Sequence, residues 1–182
     1  MTINLQGISL NFHPRRNTKT IKFLLMKKMT ISKTIDINAP KEIVWEVLLN
    51  DKFTSSWYSE FSPGTHADTD WKMGSKAIFT DNSRSGLIGK IIANNPYEHL
   101  SVEYQGIVTD GAEDYTSSEA TFVKGGLETY RLAEKNGRTT LSIDCDMGED
   151  MFQSMSEAWE RALAQIKRLS ESAFEEQKLI SS

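Results

Sequence analysis

Between residues 149 and 171 the apolar side chains recur at steps of three and four: Phe152, Met155, Trp159, then Ala162 with Leu163, Ile166 and Leu169. That spacing puts all of them on one face of an α-helix. Glu149 and Asp150 stand near the positive end of its dipole, and Lys167 and Arg168 stand toward the negative end. Alone in water such a helix is marginal, because its own backbone bonds barely offset the entropy of ordering. The rest of the chain must therefore present an apolar surface for it to lie on.

What precedes this helix alternates with a period of two. The stretch TISKTIDI carries Ile31, Ile35 and Ile37 on one parity, interrupted by Lys33, and reads as a half-buried strand. Asn38 is expected to cap the next helix, with Pro40 near its first position. Ile43, Val44, Val47 and Leu48 give that helix its stripe, bordered by Trp45. Asn50-Asp51 closes it, and residues 52–58 read as a second short helix or turn. Extended segments are expected over residues 65–68, 75–80, 87–93, 98–108, 119–123, 127–134 and 139–147. Gly125-Gly126 marks a bulge or a close backbone approach. Asn136-Gly137 is the strongest hairpin signal, because both residues tolerate positive φ. In the last strand Leu141, Ile143, Cys145 and Met147 share one face, and Ser142, Asp144 and Asp146 take the other. Strands in succession, with helices at both ends, describe an α+β domain on an antiparallel sheet rather than repeated strand–helix units.

Charge and composition exclude several functions. Residues 1–28 hold six Lys/Arg and no acid, which leaves 15 basic against 25 acidic residues in the remainder. A domain this acidic is a poor general binder of nucleic-acid phosphates, so no nucleic-acid partner is expected. No apolar stretch reaches the 18 residues of a membrane span. A single cysteine allows no internal disulfide and no four-thiolate metal site, and three scattered histidines argue against zinc. Neither a metal nor another cofactor is expected. The organisation reads as a basic, disordered extension over 1–28, one domain over 29–174 and a polar, fraying tail over 175–182. Together with the lack of an export signature, it favours the cytoplasm.

Three stretches in order carry a family likeness. They are ISKTIDINAPKEIVWEVLLN, the run from WKMGSKAIF through LSVEYQGIV, and GGLETYRLAEKNGRTTLSID followed by EAWERALAQIKRL. Over residues 31–171 the chain resembles the activator of Hsp90 ATPase homologue 1-like branch of the START/Bet v 1-like (SRPBCC) helix-grip superfamily. The resemblance implies a curved antiparallel sheet around a long C-terminal helix, two short helices after the first strand, and a cavity between helix and sheet. It also implies a small hydrophobic or lipid-like ligand, since relatives bind lipids, hormones and other apolar compounds. Two alternatives follow from the same likeness: a chaperone-linked interaction protein, and a cofactor-free cyclase, hydrolase or isomerase using cavity tyrosines. A homodimer is compatible with exposed antiparallel edges.

Within that fold Trp57, Phe61, Phe79, Tyr104, Tyr130 and Trp159 are expected to converge on the cavity, although each can equally be core. Tyr104 and Tyr130 stand out because a buried hydroxyl needs a partner. His66, Arg84 and Arg131 are candidate polar anchors for a ligand. Cys145 reads as a buried thiol without an activating base. Asp144 and Asp146 form an outward acidic row with too few ligands for calcium. Gly86-Leu87-Ile88-Gly89 is no dinucleotide fingerprint, lacking the strand–loop–helix context. The acidic segment 109–118 is a candidate cover for the cavity mouth.

Overall fold

The computed structural model describes residues 26–180. The expectations for residues 1–25 and for the last two serines lie outside this range. Eight strands form one antiparallel sheet: β1 (Lys28–Ile37), β2 (His66–Asp68), β3 (Lys76–Thr80), β4 (Gly86–Asn95), β5 (His99–Thr109), β6 (Ala112–Asp114), β7 (Leu127–Lys135) and β8 (Arg138–Gly148). Their order is β1-β8-β7-β5-β4-β3-β2, with β6 added beside β5. Helices α1 (Lys41–Leu49) and α2 (Asp51–Tyr58) follow β1, α3 (Ser118–Val123) precedes β7, and α4 (Phe152–Ile180) closes the chain.

Alternation decides the faces. Ile31, Ile37, Leu141, Ile143 and Cys145 are all buried on the inner side, while Ser32, Thr34 and Asp36 are exposed on the outer one. In the register, Ile31 faces Cys145 and Ile35 faces Leu141, so the two strands build one apolar strip. Asn136 and Gly137 both take positive φ and join β7 to β8 in a two-residue hairpin. Register shifts at Ile88/Gly89 and Ile91/Ala93 interrupt the β4–β5 ladder. Such irregularities bend a sheet.

The stripe on α4 does what its spacing requires. Trp159, Ala162, Leu163 and Ile166 are almost fully buried in the common core. Arg161 Nε pairs with Glu60 at 3.1 Å and Lys33 Nζ with Glu160 at 2.6 Å, flanking the buried stripe with charges. Lys33, the interruption in the β1 pattern, is thus an inner-face position whose ammonium reaches the helix.

Several local expectations need correction. Asn38 does not cap α1; the cap position is Pro40, which has no side-chain bond to offer. The Lys41 N–H is instead satisfied by Glu134 at 2.9 Å, and the Asn38 N–H by Glu171 at 2.8 Å. Asn50 ends α1 and caps α2, its side chain accepting from Lys52 N at 3.0 Å. Residues 119–123 are helical rather than extended. Ser117 caps α3 by accepting from Ala120 N at 3.1 Å, and a short apolar run gives no periodicity to tell the two apart. Helix α4 also continues past Phe174 to Ile180, through residues with good helix propensity and a Lys178–Glu175 pair at 2.7 Å.

Candidate functional site

The curve of the sheet and the bulk of α4 leave a cavity of about 560 Å³ between them. Trp57, Phe61, Phe79, Tyr104, Tyr130 and Trp159 all line it. They arrive from six places in the fold. Trp57 comes from α2, where its indole N–H donates to the Val47 carbonyl at 3.0 Å and fixes the ring. Phe61 follows α2, Phe79 lies on β3, Tyr104 on β5, Tyr130 on β7 and Trp159 on α4. Trp159 is the hub: its ring centroid lies 4.8 Å from Phe61, 6.0 Å from Tyr130 and 6.3 Å from Trp57. Edge-to-face and tilted contacts of this kind hold aromatic walls in place without collapsing the space between them.

Among the cavity aromatics Glu128 makes a polar centre. Tyr104 donates its hydroxyl to Glu128 Oε2 at 2.5 Å, and Tyr130 donates to Glu128 Oε1. The Cys145 thiol sits 3.7 Å from the same carboxylate and from the Tyr104 hydroxyl. The ladder explains the meeting. Glu128 lies directly across from Cys145 on β8 and from Val102 on β5, so Tyr104 is its diagonal neighbour. Gly125 and Gly126 hold this corner close: Tyr104 N donates to the Gly126 carbonyl at 2.8 Å, and Gly125 N to the Tyr104 carbonyl at 2.9 Å. A side chain at Gly126 would press on the Tyr104 ring, only 3.3 Å from the place of its Cβ.

Burial sets the protonation of these groups. It raises the Tyr104 and Tyr130 hydroxyls well above the usual phenol range, and the Glu128 charge adds to the effect. Tyr58, buried beside them, is raised for the same reasons. Burial likewise pushes the Cys145 thiol up, with Glu128 the next contributor. At neutral pH the phenols are donors and the sulfur is a thiol, so neither serves as an anionic nucleophile. The Trp159 indole N–H is buried with no well-formed hydrogen bond among the described residues.

The polar anchors read from the sequence do not reach the cavity. His66 is exposed on β2, bonded locally to the Gly64 carbonyl at 3.1 Å. Arg84 sits in the β3–β4 turn with positive φ and donates to the Asp110 carbonyl at 2.9 Å. Arg131 points to the outer face, one position out of parity with Tyr130, and pairs with Asp144 at 2.6 Å. Segment 109–118 is not the cover either. β6 pairs with β5, Asp114 accepts from Thr116 N and Ser117 N, and none of these residues lines the cavity. Phe122 and Val123 of α3 line it instead. Glu128 itself escaped the sequence reading. Its signal was there in the two-residue step to Tyr130, which put a carboxylate on the same inward parity as a cavity tyrosine.

Among the described residues no group of three or more His, Cys, Asp or Glu is placed to hold a metal ion. No helix of the described residues is long and apolar enough to cross a membrane.

The profile of the family described as activator of Hsp90 ATPase homolog 1-like protein matches residues 38–171. Among solved structures, the chain is similar to the Aha1 dimer from Colwellia psychrerythraea, with 17% identity and a TM-score of 0.60 over 79% of this chain and 96% of that one. It is similar to protein MLL2253 from Mesorhizobium loti, with 16% identity and a TM-score of 0.59 over 78% and 96%. DynU16 of the dynemicin biosynthetic locus gives 14% identity and a TM-score of 0.58 over 80% of this chain, which spans only 48% of that protein. At such identities the likeness is one of fold. A search of curated proteins matched none of them.

Proposed function

The chain belongs to the activator of Hsp90 ATPase homolog 1-like family of the helix-grip superfamily, and we propose that it holds a small, largely apolar molecule between α4 and the sheet without transforming it. The observation that supports this reading is the aromatic cavity of about 560 Å³. That volume is within the usual range for small-molecule sites, which combine apolar walls with few polar groups. Transfer of an apolar ligand from water into such walls contributes roughly 25 cal/mol per Å² of buried surface, before ordering costs. Preformed walls keep those costs low.

A non-catalytic role agrees with the chemistry of the lining. Burial holds the cavity phenols and the thiol in their protonated forms. Neither His66 nor His99 lines the cavity, and His13 lies outside the described residues.

The test is a fluorescence titration with a neutral apolar dye such as Nile red, on the wild type and on Met155→Trp. Met155 lines the cavity from α4, so a larger side chain there occupies ligand space. Saturable binding at one site, weakened by Met155→Trp in a protein that melts normally, supports the reading. Absence of saturable binding to the wild type overturns it. Self-association is a separate proposal, suggested by the Colwellia relative that forms a dimer; sedimentation velocity decides it. A chaperone-linked role rests on the family's name alone. It predicts chaperone capture that persists with the cavity filled.

A further inference from the structure

The cavity is apolar in area but not neutral in charge. Its lining includes four carboxylates, of Asp81, Glu128, Asp146 and Asp150, against the single ammonium of Lys28 among the described residues. Lys28 is occupied elsewhere: it donates to the Lys124 carbonyl at 3.1 Å and lies 5.6 Å from the Phe122 ring centroid. Asp146, expected from its parity to face outward, lines the cavity but is held by both neighbouring strands, accepting from Thr30 of β1 and from Leu127 N of β7. Asp81 is held in its turn by Ser62 and Ser83.

Glu128 differs from these in its surroundings. It is half-buried, walled by Tyr104 and Tyr130 with Trp159 beyond, and no basic side chain of the described residues forms an ion pair with it. Its partners are two hydroxyls and a thiol, all of them uncharged donors. Each carboxylate oxygen has two acceptor positions, so those partners do not exhaust its capacity. A carboxylate set among apolar walls without a basic partner favours a cation that arrives, because the walls screen the pair less than bulk water does. The walls add to the preference, since the faces of Trp and Tyr rings attract cations as well.

We infer that the cavity selects an apolar molecule bearing a protonated amine, whose ammonium donates to Glu128 while its hydrocarbon or aromatic body lies among Trp57, Phe61 and Trp159. This rests on the binding reading above and gives it a ligand class. An apolar carboxylate of the same size meets like charge at the same place and is rejected. An apolar alcohol is accepted without the ionic gain.

The experiment is isothermal titration of the full chain with three ligands of one body: naphthylethylamine, naphthylethanol and naphthylacetate. The wild type is expected to prefer the amine over the alcohol by about tenfold, the size of one charge-assisted hydrogen bond. The acetate is expected to bind weakest. In Glu128→Gln, a near-isosteric change, the amine preference disappears while the alcohol keeps its affinity within a factor of about three. Binding of the alcohol as tight as that of the amine in the wild type overturns the inference and leaves apolar binding intact. An amine preference that survives Glu128→Gln also overturns the assignment to Glu128. No binding by any of the three overturns both the inference and the reading beneath it. The wild-type ratio needs no variant, so the cavity's preference for an ammonium is decided even where Glu128→Gln fails to fold.

Discussion

Tyr104 on β5 and Glu128 on β7 meet inside the cavity through a 2.5 Å O–H···O bond, although Glu128 is paired across the ladder with Val102 and not with Tyr104. The bond therefore spans the diagonal of two strands and ties the corner where Gly125 and Gly126 bring α3 back to the sheet. A hydrogen bond to a charged acceptor contributes about 1.5–3 kcal/mol. Tyr104→Phe is expected to lower the unfolding free energy by about 2 kcal/mol, because Glu128 loses a donor without losing its burial. Urea unfolding followed by tryptophan fluorescence measures it. An unchanged midpoint would show that water replaces the hydroxyl at no cost.

Trp159 carries the packing of α4 against three aromatic neighbours and is only 2% exposed. Trp159→Ala is expected to cost about 3–5 kcal/mol, toward the lower end because one side of the ring already borders open space. Loss above this range in a denaturant series would mean that the cavity collapses with the helix. Loss below about 1 kcal/mol would mean that the ring is not part of the core.

Cys145 is 4% exposed and its thiol is pushed up by burial and by Glu128. Alkylating and disulfide reagents attack the thiolate, so both effects protect it. Native protein is expected to react with Ellman's reagent far more slowly than unfolded protein, with a rate that tracks opening of the structure. Equal rates in the two states would place the sulfur at the surface.

Arg131 and Asp144 form an ion pair at 2.6 Å on the outer face of the sheet, with the arginine side chain 55% exposed. Exposed pairs contribute about 0–1 kcal/mol. Arg131→Ala is therefore expected to shift stability by less than about 1 kcal/mol and to leave ligand affinity unchanged. A clear loss of affinity for an apolar dye would restore Arg131 as an anchor and contradict the face on which it lies.

How much of this was legible in the residues depends on how each one is held. The α4 stripe and the β8 alternation came through because burial of a whole face imposes a period, and Trp159, Ile143 and Cys145 all sit where that period puts them. The six cavity aromatics converge because the family's fold brings their elements to one place. Charged residues followed a different logic. Arg84 and His66 satisfy themselves on nearby carbonyls, which no spacing rule reveals. Glu128 has the residue type of a solvated position and the parity of a buried one; type outweighed parity in the reading. Helix α3 is too short to show a period, and only Ser117 announces it.

Acid will loosen the turn that closes the β3 side of the cavity. Asp81 accepts from Ser62 Oγ at 2.6 Å, and from Ser83 N at 2.8 Å and its Oγ at 2.5 Å, joining the β3–β4 turn to the loop after α2. These bonds, that of Ser62 foremost, lower its carboxyl from the ordinary 3.8 to about 2. A depressed folded-state value means that the stabilisation is complete above the unfolded value. It is lost as pH falls from near 3.8 toward 2. Asp114, lowered to about 2 chiefly by Ser117 at the start of α3, titrates over the same window. Unfolding free energy from urea titrations is expected to be flat down to about pH 4 and to fall below it. Asp81→Asn should start lower at neutral pH, since it keeps the shape but not the charge, and should fall less steeply in acid. A slope identical to that of the wild type would show that these three bonds contribute nothing to folding, leaving the acid sensitivity to Asp114 and the other carboxylates.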